Sequence, residues 1–216
     1  VVGRVCSGTW SPTFEQGIAT ALVAAEALAD DNGFEIDIRG KRAGQSVQRL
    51  LGGTVSEFPV YASSMKREIT PQQEAERMLA LREQFGYHSF KFRVARECGH
   101  DVDQWPGRTE EIVKTMRETL GDDVTLMVDA NSGYTPKKAI EVGRLLADYG
   151  ISHYEEPCPY WELDWTREVT SALDIDVTGG EQDNNMIVWK QMIDTHAVDI
   201  VQPDICYMGG ITRTLQ

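Results

Sequence analysis

Three acidic residues recur at a fixed interval in this chain, and they constrain its fold more than any other feature. Asp129, Glu155 and Glu181 each follow the previous one by 26 residues. Each acid closes a short apolar run and is followed by a segment of helical length. Repeated strand–helix units of about this size build a β/α barrel, in which the carboxyl ends of all strands meet at one mouth. The three carboxylates are therefore expected to converge in space.

The same alternation of apolar runs and helical segments extends over most of the chain. Strands are predicted at 58–62, 89–94, 124–129, 151–155, 175–178 and 198–203, and helices at 70–86, 109–120, 135–150, 161–173 and 184–196. Thr70, Pro71 and Gln73 provide an N-cap, a proline at the first helical position and a capping-box glutamine. Thr135-Pro136 repeats the threonine–proline start. The fold class is α/β, a (β/α) TIM-type barrel with six of eight units visible.

The first part of the chain does not follow this rhythm. Residues 18–30, IATALVAAEALAD, are alanine-rich and predict a helix. We expect residues 1–55 to be a partial N-terminal domain and residues 56–216 a partial β/α barrel that carries the metal site. Six strands leave a barrel unclosed, with its edge strands open to water. The sequence is therefore expected to be part of a longer protein, truncated at both ends.

Composition excludes several classes of partner. The net charge of −13 argues against nucleic acid, whose phosphates require a basic surface. No apolar stretch approaches the roughly 20 residues that cross a bilayer, and the N-terminus lacks the layout of a secretory signal. Four widely spaced cysteines, Cys6, Cys98, Cys158 and Cys206, contain no C-x-x-C pair. A reduced, cytoplasmic setting fits this usage best.

The three carboxylates predict a metal site. Three such groups repel one another unless they share a cation, and hard oxygen ligands select Mg²⁺ or a similar divalent ion. The expected ligands are Asp129, Glu155 and Glu181, which would hold one Mg²⁺ per active site, with Mn²⁺ as a substitute. Glu156, directly after Glu155, is an alternative ligand.

Charged and polar side chains are expected beside these acids. Lys91 and Arg93 are two residues apart on a predicted strand, so both can face the barrel mouth. Asp204 ends the sixth strand, and Asn131 lies two positions after Asp129. A metal with cations opposite it suits a substrate carboxylate and stabilises the anion that forms when the adjacent carbon loses its proton. Lys91 and Asn131 are the expected substrate contacts.

These residues stand in motifs that resemble the enolase superfamily, in its mandelate racemase and muconate lactonising enzyme branch. The motifs are DIRGKRAGQ…RLLGG, the K-x-R at 91–93, VDANSGYT, YEEP, GGEQ and QPDICYMGGIT. The resemblance implies that Asp129, Glu155 and Glu181 bind Mg²⁺ and that residues 1–55 are a remnant of an α+β capping domain. It also implies that Asp204 partners a histidine on the seventh strand, beyond residue 216.

One departure from the family pattern favours a particular reaction. Many members of this branch carry a second lysine as a base where this chain has Arg93, and arginine is effectively always protonated. Lys91, Arg93 and Asp204 remain the expected catalytic residues, with a single histidine–aspartate base. The resemblance then implies a lyase that dehydrates an acid sugar to a 2-keto-3-deoxy acid through a metal-stabilised enolate. The alternatives are a racemase, epimerase or cycloisomerase that acts on a carboxylate, or a catalytically incomplete fragment. The resemblance is also compatible with a homo-oligomer.

Other polar and aromatic residues are compatible with simpler, structural roles. Arg93 is equally compatible with a salt bridge to one of the acids. His88, His100, His153 and His196 are expected in loops, at helix ends or on the outer barrel surface. Trp161 and Trp165 are expected to pack a helix against the barrel, and the polar stretch 95–108 to lie over the mouth as a loop.

Overall fold

The computed structural model describes residues 3–11, 16–23, 44, 49, 52–54 and 59–215. The backbone forms two compact units, Val1–Pro59 and Val60–Gln216. In the first unit, β1 (Gly3–Ser11) pairs antiparallel with β2 (Gln16–Val23), and the register shifts between Val5 and Ser7.

The hairpin corrects the helix predicted at 18–30. Residues 18–23 belong to the strand β2, while 24–30 lie outside the described residues. Alanine is the strongest helix former, but intrinsic propensity is small per residue, and pairing with a neighbouring strand overrides it here. Ile18, Thr20 and Val23 are β-branched, which suits the extended conformation.

The second unit is a parallel sheet in which the strands alternate with helices. Its elements are β3 (Ala62–Ser63), α1 (Pro71–Phe85), β4 (Ser89–Arg93), α2 (Arg108–Leu120), β5 (Thr125–Asp129), α3 (Pro136–Asp148), β6 (His153–Glu155), α4 (Leu163–Ala172), β7 (Asp176–Gly179), α5 (Met186–Asp194), β8 (Ile200–Val201) and α6 (Ile211–Thr214). The six strands are ordered as in the sequence, from β3 to β8, and each pairs in parallel with the next. The predicted partial TIM-type barrel is confirmed. The strands at both edges are shorter than predicted, with only two residues each.

The two faces of the sheet differ in chemistry because side chains alternate along each strand. Phe90, Phe92, Leu126, Val128 and Val177 are fully buried in the core that the helices cover. The residues between them, which include Lys91, Arg93 and Asp129, point to the opposite face. One face therefore stabilises the fold, and the other carries the charged groups.

The starts of α1 and α3 differ, although both have a threonine followed by a proline. Thr70 and Gln73 form the predicted capping box at the start of α1. Thr135 does not cap α3 through its own side chain. Instead its backbone N–H donates to Asp101 Oδ1 at 2.6 Å and its hydroxyl donates to Oδ2 at 2.8 Å. Asp101 lies in the loop after β4, so this loop is tied to the start of α3.

Candidate active site

The site is built at the carboxyl ends of β4, β5 and β6. Arg93 is in register with Asp129, and Asp129 with Glu155. Residues in register on parallel strands lie side by side on the same face. Asp129 and Glu155 are 1% and 0% exposed, so both predicted metal ligands are carboxylates that the fold has taken out of water.

Glu155 is paired with a buried cation. Lys91 Nζ lies 2.6 Å from Glu155 Oε1 and 2.5 Å from Oε2. Gln202 Nε2 donates to Glu155 Oε2 at 3.0 Å. Burial alone would lower the pKa of Lys91, but the Glu155 carboxylate outweighs it, and the pKa is raised. Lys91, which was predicted to face the barrel mouth and contact substrate, thus forms a direct ion pair with Glu155.

Asp129 is held by three contacts. Asn131 donates to it twice, from its backbone N–H to Oδ1 at 2.8 Å and from Nδ2 to Oδ2 at 3.0 Å. Arg93 Nε lies 3.5 Å from Asp129 Oδ2, so Arg93 forms the salt bridge that was its simpler interpretation. Burial, and then the negative charge of Glu155, raise the pKa of Asp129 to about 6.

Glu181 follows β7 and is half-buried near the same group. Burial and the charge of Glu155 raise its pKa, with Asp204 adding to the effect. Glu156, the alternative ligand, has both carboxylate oxygens bound by Gln182 Nε2 at 3.0 Å. Burial, and then Glu181, raise the pKa of Glu156 to about 7. Its backbone φ of 41° turns the chain sharply after Glu155.

The donor set fits a hard divalent cation in its chemistry, since all three predicted ligands are carboxylates. Each of the three predicted ligands is a carboxylate at or just after a strand end, and burial, followed by repulsion from Glu155, raises the pKa of Asp129 and Glu181. Bound positive charge relieves such repulsion. Within the described part of the chain, no three His, Cys, Asp or Glu side chains converge closely enough to hold a metal as they stand. The Lys91 ammonium is instead bonded to both carboxylate oxygens of Glu155.

Asp204 is the remaining predicted residue, and its charge acts on Glu181. Asp204 follows β8, and its Oδ1 accepts from the backbone N–H groups of Cys206 at 2.7 Å and Tyr207 at 3.0 Å. Among the described residues, no histidine is hydrogen-bonded to Asp204. His196 instead contacts Asp199 at 3.1 Å.

Some placements differ from the predictions. His153 is the first residue of β6, two positions before Glu155 and on the same face, whereas a loop, a helix end or the outer surface was expected. Burial lowers its pKa. His88, His100 and His196 are exposed outside helices and strands, as predicted. Trp165 packs against the core as predicted, but Trp161 is 59% exposed.

Sequence reasoning missed two residues that contact the site. Gln202 could have been found by strand alternation, because it lies two residues before Asp204. Arg67 lies in the loop after β3, and its Nη2 donates to Asn131 Oδ1 at 2.5 Å. Nothing in the local sequence distinguishes Arg67 from an exposed loop cation. The loop 95–108 is also tied down, since Gly99 N donates to Ser132 O at 2.8 Å.

Six parallel β/α units with acids and cations at their carboxyl ends define a barrel-type α/β domain with its site at the mouth. The chain belongs to the enolase superfamily: the model of the family described as "Enolase C-terminal domain-like" matches residues 73–216. A second family model, described as "Glycine cleavage T-protein C-terminal barrel domain", matches residues 1–50. The capping-domain origin of residues 1–55 stays a prediction.

Two curated relatives are similar over most of the chain. D-galactarolactone cycloisomerase of Agrobacterium fabrum is 35% identical over 82% of this chain and 46% of that protein. Arabinonate dehydratase of Saccharolobus solfataricus is 30% identical over 83% of this chain and 47% of that protein. The chain thus spans about half the length of the curated relatives it matches.

Solved structures agree with the fold. A protein from Roseobacter denitrificans, provisionally designated a racemase, is 61% identical, with a TM-score of 0.79 over 82% of this chain and 49% of that one. A mandelate racemase/muconate lactonizing protein from Paracoccus denitrificans, complexed with magnesium, is 35% identical, with a TM-score of 0.73 over 83% of this chain and 48% of that one. Among the residues that the structure describes, no helix is long and apolar enough to cross a membrane.

Proposed function

We propose that the protein carrying this chain is an enzyme that removes the proton next to a substrate carboxylate, and that it dehydrates an acid sugar to a 2-keto-3-deoxy acid. The observation that carries this proposal is the grouping of Lys91 and Arg93 with Asp129 and Glu155 on one face of the sheet, at the strand ends. Opposite charges collected in a buried position suit the binding of a cation and an anion together.

The proposed ligands of a divalent metal, Mg²⁺ or Mn²⁺, are Asp129, Glu155 and Glu181. When bound, the metal would neutralise the substrate carboxylate and the enolate formed from it. The magnesium in the Paracoccus structure supports this choice. If Glu155 bound the metal, its carboxylate would give up the bond to Lys91. The Lys91 ammonium would then face a substrate oxygen.

Lys91 and Arg93 would stabilise developing negative charge. Arg93 cannot accept a proton, since a guanidinium stays charged at any physiological pH. Its side chain is 18% exposed, so part of it remains accessible from the mouth. Asn131 is the second proposed substrate contact, although its amide already bonds with Asp129 and Arg67.

The proton would pass to a histidine that Asp204 orients and that lies outside this sequence. The α C–H bond would break, and its electrons would pass into the substrate carboxylate to give the enolate. They would then form the double bond between the α- and β-carbons as the β C–O bond breaks. The same imidazole returns its proton to the departing hydroxyl, which leaves as water. The resulting enol becomes the 2-keto acid. The arabinonate dehydratase relative supports this class of substrate.

Isomerisation is the second candidate. The galactarolactone cycloisomerase relative and the racemase designation of the Roseobacter protein favour it. Arg93 disfavours it, because a second base is needed for two-base racemisation and arginine is a poor one.

Incubating the protein that carries this chain with a panel of acid sugars and Mg²⁺ in D₂O separates these reactions. We expect a 2-keto acid from at least one sugar, detected by NMR, with loss of the product when Mg²⁺ is chelated. Deuterium at the α-carbon without a keto product would contradict dehydration and support the isomerase. Neither exchange nor product over a broad panel would contradict enolate chemistry and favour a catalytically incomplete protein.

A further inference from the structure

A chain of hydrogen bonds runs from the first mouth loop to a proposed metal ligand. Arg67, in the loop after β3, donates from Nη2 to Asn131 Oδ1 at 2.5 Å. Asn131 then donates from Nδ2 to Asp129 Oδ2 at 3.0 Å. The oxygen and the nitrogen of the Asn131 amide are therefore both hydrogen-bonded within the protein.

Arg67 is fixed at two points. Its Nε donates to the backbone carbonyl of Val94 at 3.3 Å, directly after β4. A planar guanidinium can make these two bonds at once, whereas an ammonium has no such fork. Burial and the nearby charge of Arg93 lower the pKa of Arg67, so it is held there against charge repulsion.

The backbone at Asn131 also favours an orienting role. Asn131 and Ser132 have φ values of 43° and 64°, in the left-handed region where asparagine is tolerated better than most residues. Ser132 N donates to Glu156 O at 2.7 Å, which ties this turn to the next strand end. The turn thus presents the amide to Asp129 in a fixed direction.

We infer that Arg67 is a positioning residue, which acts through Asn131 to orient the Asp129 carboxylate for the divalent cation. This inference rests on the proposed metal site. It assigns Arg67 a role that the sequence did not reveal, and it places the side chain of Asn131 between Arg67 and a ligand as well as near the substrate. Groups that hydrogen-bond to a metal ligand commonly change metal affinity tenfold to a hundredfold when removed.

The direction in which Mn²⁺ affinity changes when Arg67 is replaced distinguishes a positioning role from a purely electrostatic one. Removal of a positive charge near a cation site should strengthen metal binding if Arg67 acts only through its charge. If it orients Asp129 through Asn131, Arg67→Met should weaken Mn²⁺ binding by about tenfold, and by no more than Asn131→Gly does. Arg67→Lys keeps the charge but loses the two-point bond, so it should also weaken binding.

The experiment measures Mn²⁺ affinity by electron paramagnetic resonance for wild type, Arg67→Met, Arg67→Lys, Asn131→Gly and the Arg67→Met/Asn131→Gly double variant. Glycine suits the left-handed φ of residue 131. The matched control is Arg82→Met, since Arg82 also donates to one backbone oxygen, that of Leu120 at 2.7 Å, and to one side-chain oxygen, Asp123 Oδ2 at 2.5 Å. We expect the control to bind like wild type, and the double variant to bind like Asn131→Gly alone.

Tighter or unchanged Mn²⁺ binding in Arg67→Met, or additive losses in the double variant, would overturn the inference while the metal site stands. Absence of Mn²⁺ binding in wild type would instead overturn the proposed metal site. The bond chain then remains testable without metal, by a double-mutant cycle on urea unfolding. Non-additive unfolding free energies for Arg67 and Asn131 support the chain, and additive ones contradict it.

Discussion

At the scale of single residues, the site is defined by which cation meets which carboxylate. Lys91 and Glu155 form a buried ion pair, with side chains 9% and 0% exposed. Two buried charges are costly to separate, because the one left behind has neither water nor a partner. The pair therefore stabilises the protein only as long as both members are present, or until another cation replaces Lys91.

Lys91→Met is expected to destabilise the protein by about 3–5 kcal/mol, since it leaves Glu155 buried without a cation. Urea unfolding measures the change. Lys138→Met is the control, because Lys138 pairs with Glu141 in an exposed i,i+3 contact worth about 0–1 kcal/mol. Lys91→Met/Glu155→Gln should recover part of the loss. An unfolding free energy equal to that of wild type in Lys91→Met would show that the pair does not form.

Two adjacent acids differ in their position relative to Asp129, and this difference predicts which one binds metal. Glu155 is in register with Asp129 on the neighbouring strand, on the face that carries Lys91 and Arg93, whereas Glu156 follows the strand and bonds to Gln182. Glu155→Gln should therefore reduce Mn²⁺ affinity by at least about a hundredfold, and Glu156→Gln by about tenfold or less. Calorimetric titration measures both. The reverse order would assign the metal to Glu156.

At the scale of elements, the mouth loops are held by side chains from their neighbours. Asp101, in the loop after β4, accepts both the N–H and the hydroxyl of Thr135 at the start of α3. The two loops that follow β4 and β5 therefore act as one support for Asn131. The sequence alone suggested that Thr135 caps its own helix, because a cap from a distant loop leaves no local signature.

Asp101→Ala is expected to cost about 1–2 kcal/mol in the free energy of unfolding, since it removes the cap of α3. Hydrogen exchange at the Thr135 amide should accelerate in this variant. Thr70→Ala, which removes the capping threonine of α1, is the comparison and should cost about 1 kcal/mol. An Asp101→Ala variant with the unfolding free energy of wild type, and with unchanged exchange at the Thr135 amide, would contradict this role of Asp101.

At the scale of the whole molecule, the features that could be predicted from the sequence are those that depend on the periodic spacing of apolar residues. The order of six strands and their helices followed from alternating apolar segments, and the position of Lys91 on the face of the acids followed from strand alternation. The ion pair of Lys91 with Glu155 was not predicted. Residues 18–23 became a strand because pairing in space outweighed local helix preference. Arg67 could not be predicted, since its role depends on a loop conformation that brings it to Asn131, 64 residues away.

We propose that the acids at the barrel mouth share one divalent cation. A crystal of the protein soaked with Mn²⁺ tests it directly, because anomalous scattering locates manganese without prior assumptions. We predict a single strong peak among Asp129, Glu155 and Glu181, with the Lys91 ammonium moved off Glu155. A peak elsewhere, or a fully ordered mouth with no peak and an intact Lys91–Glu155 pair, would contradict the account.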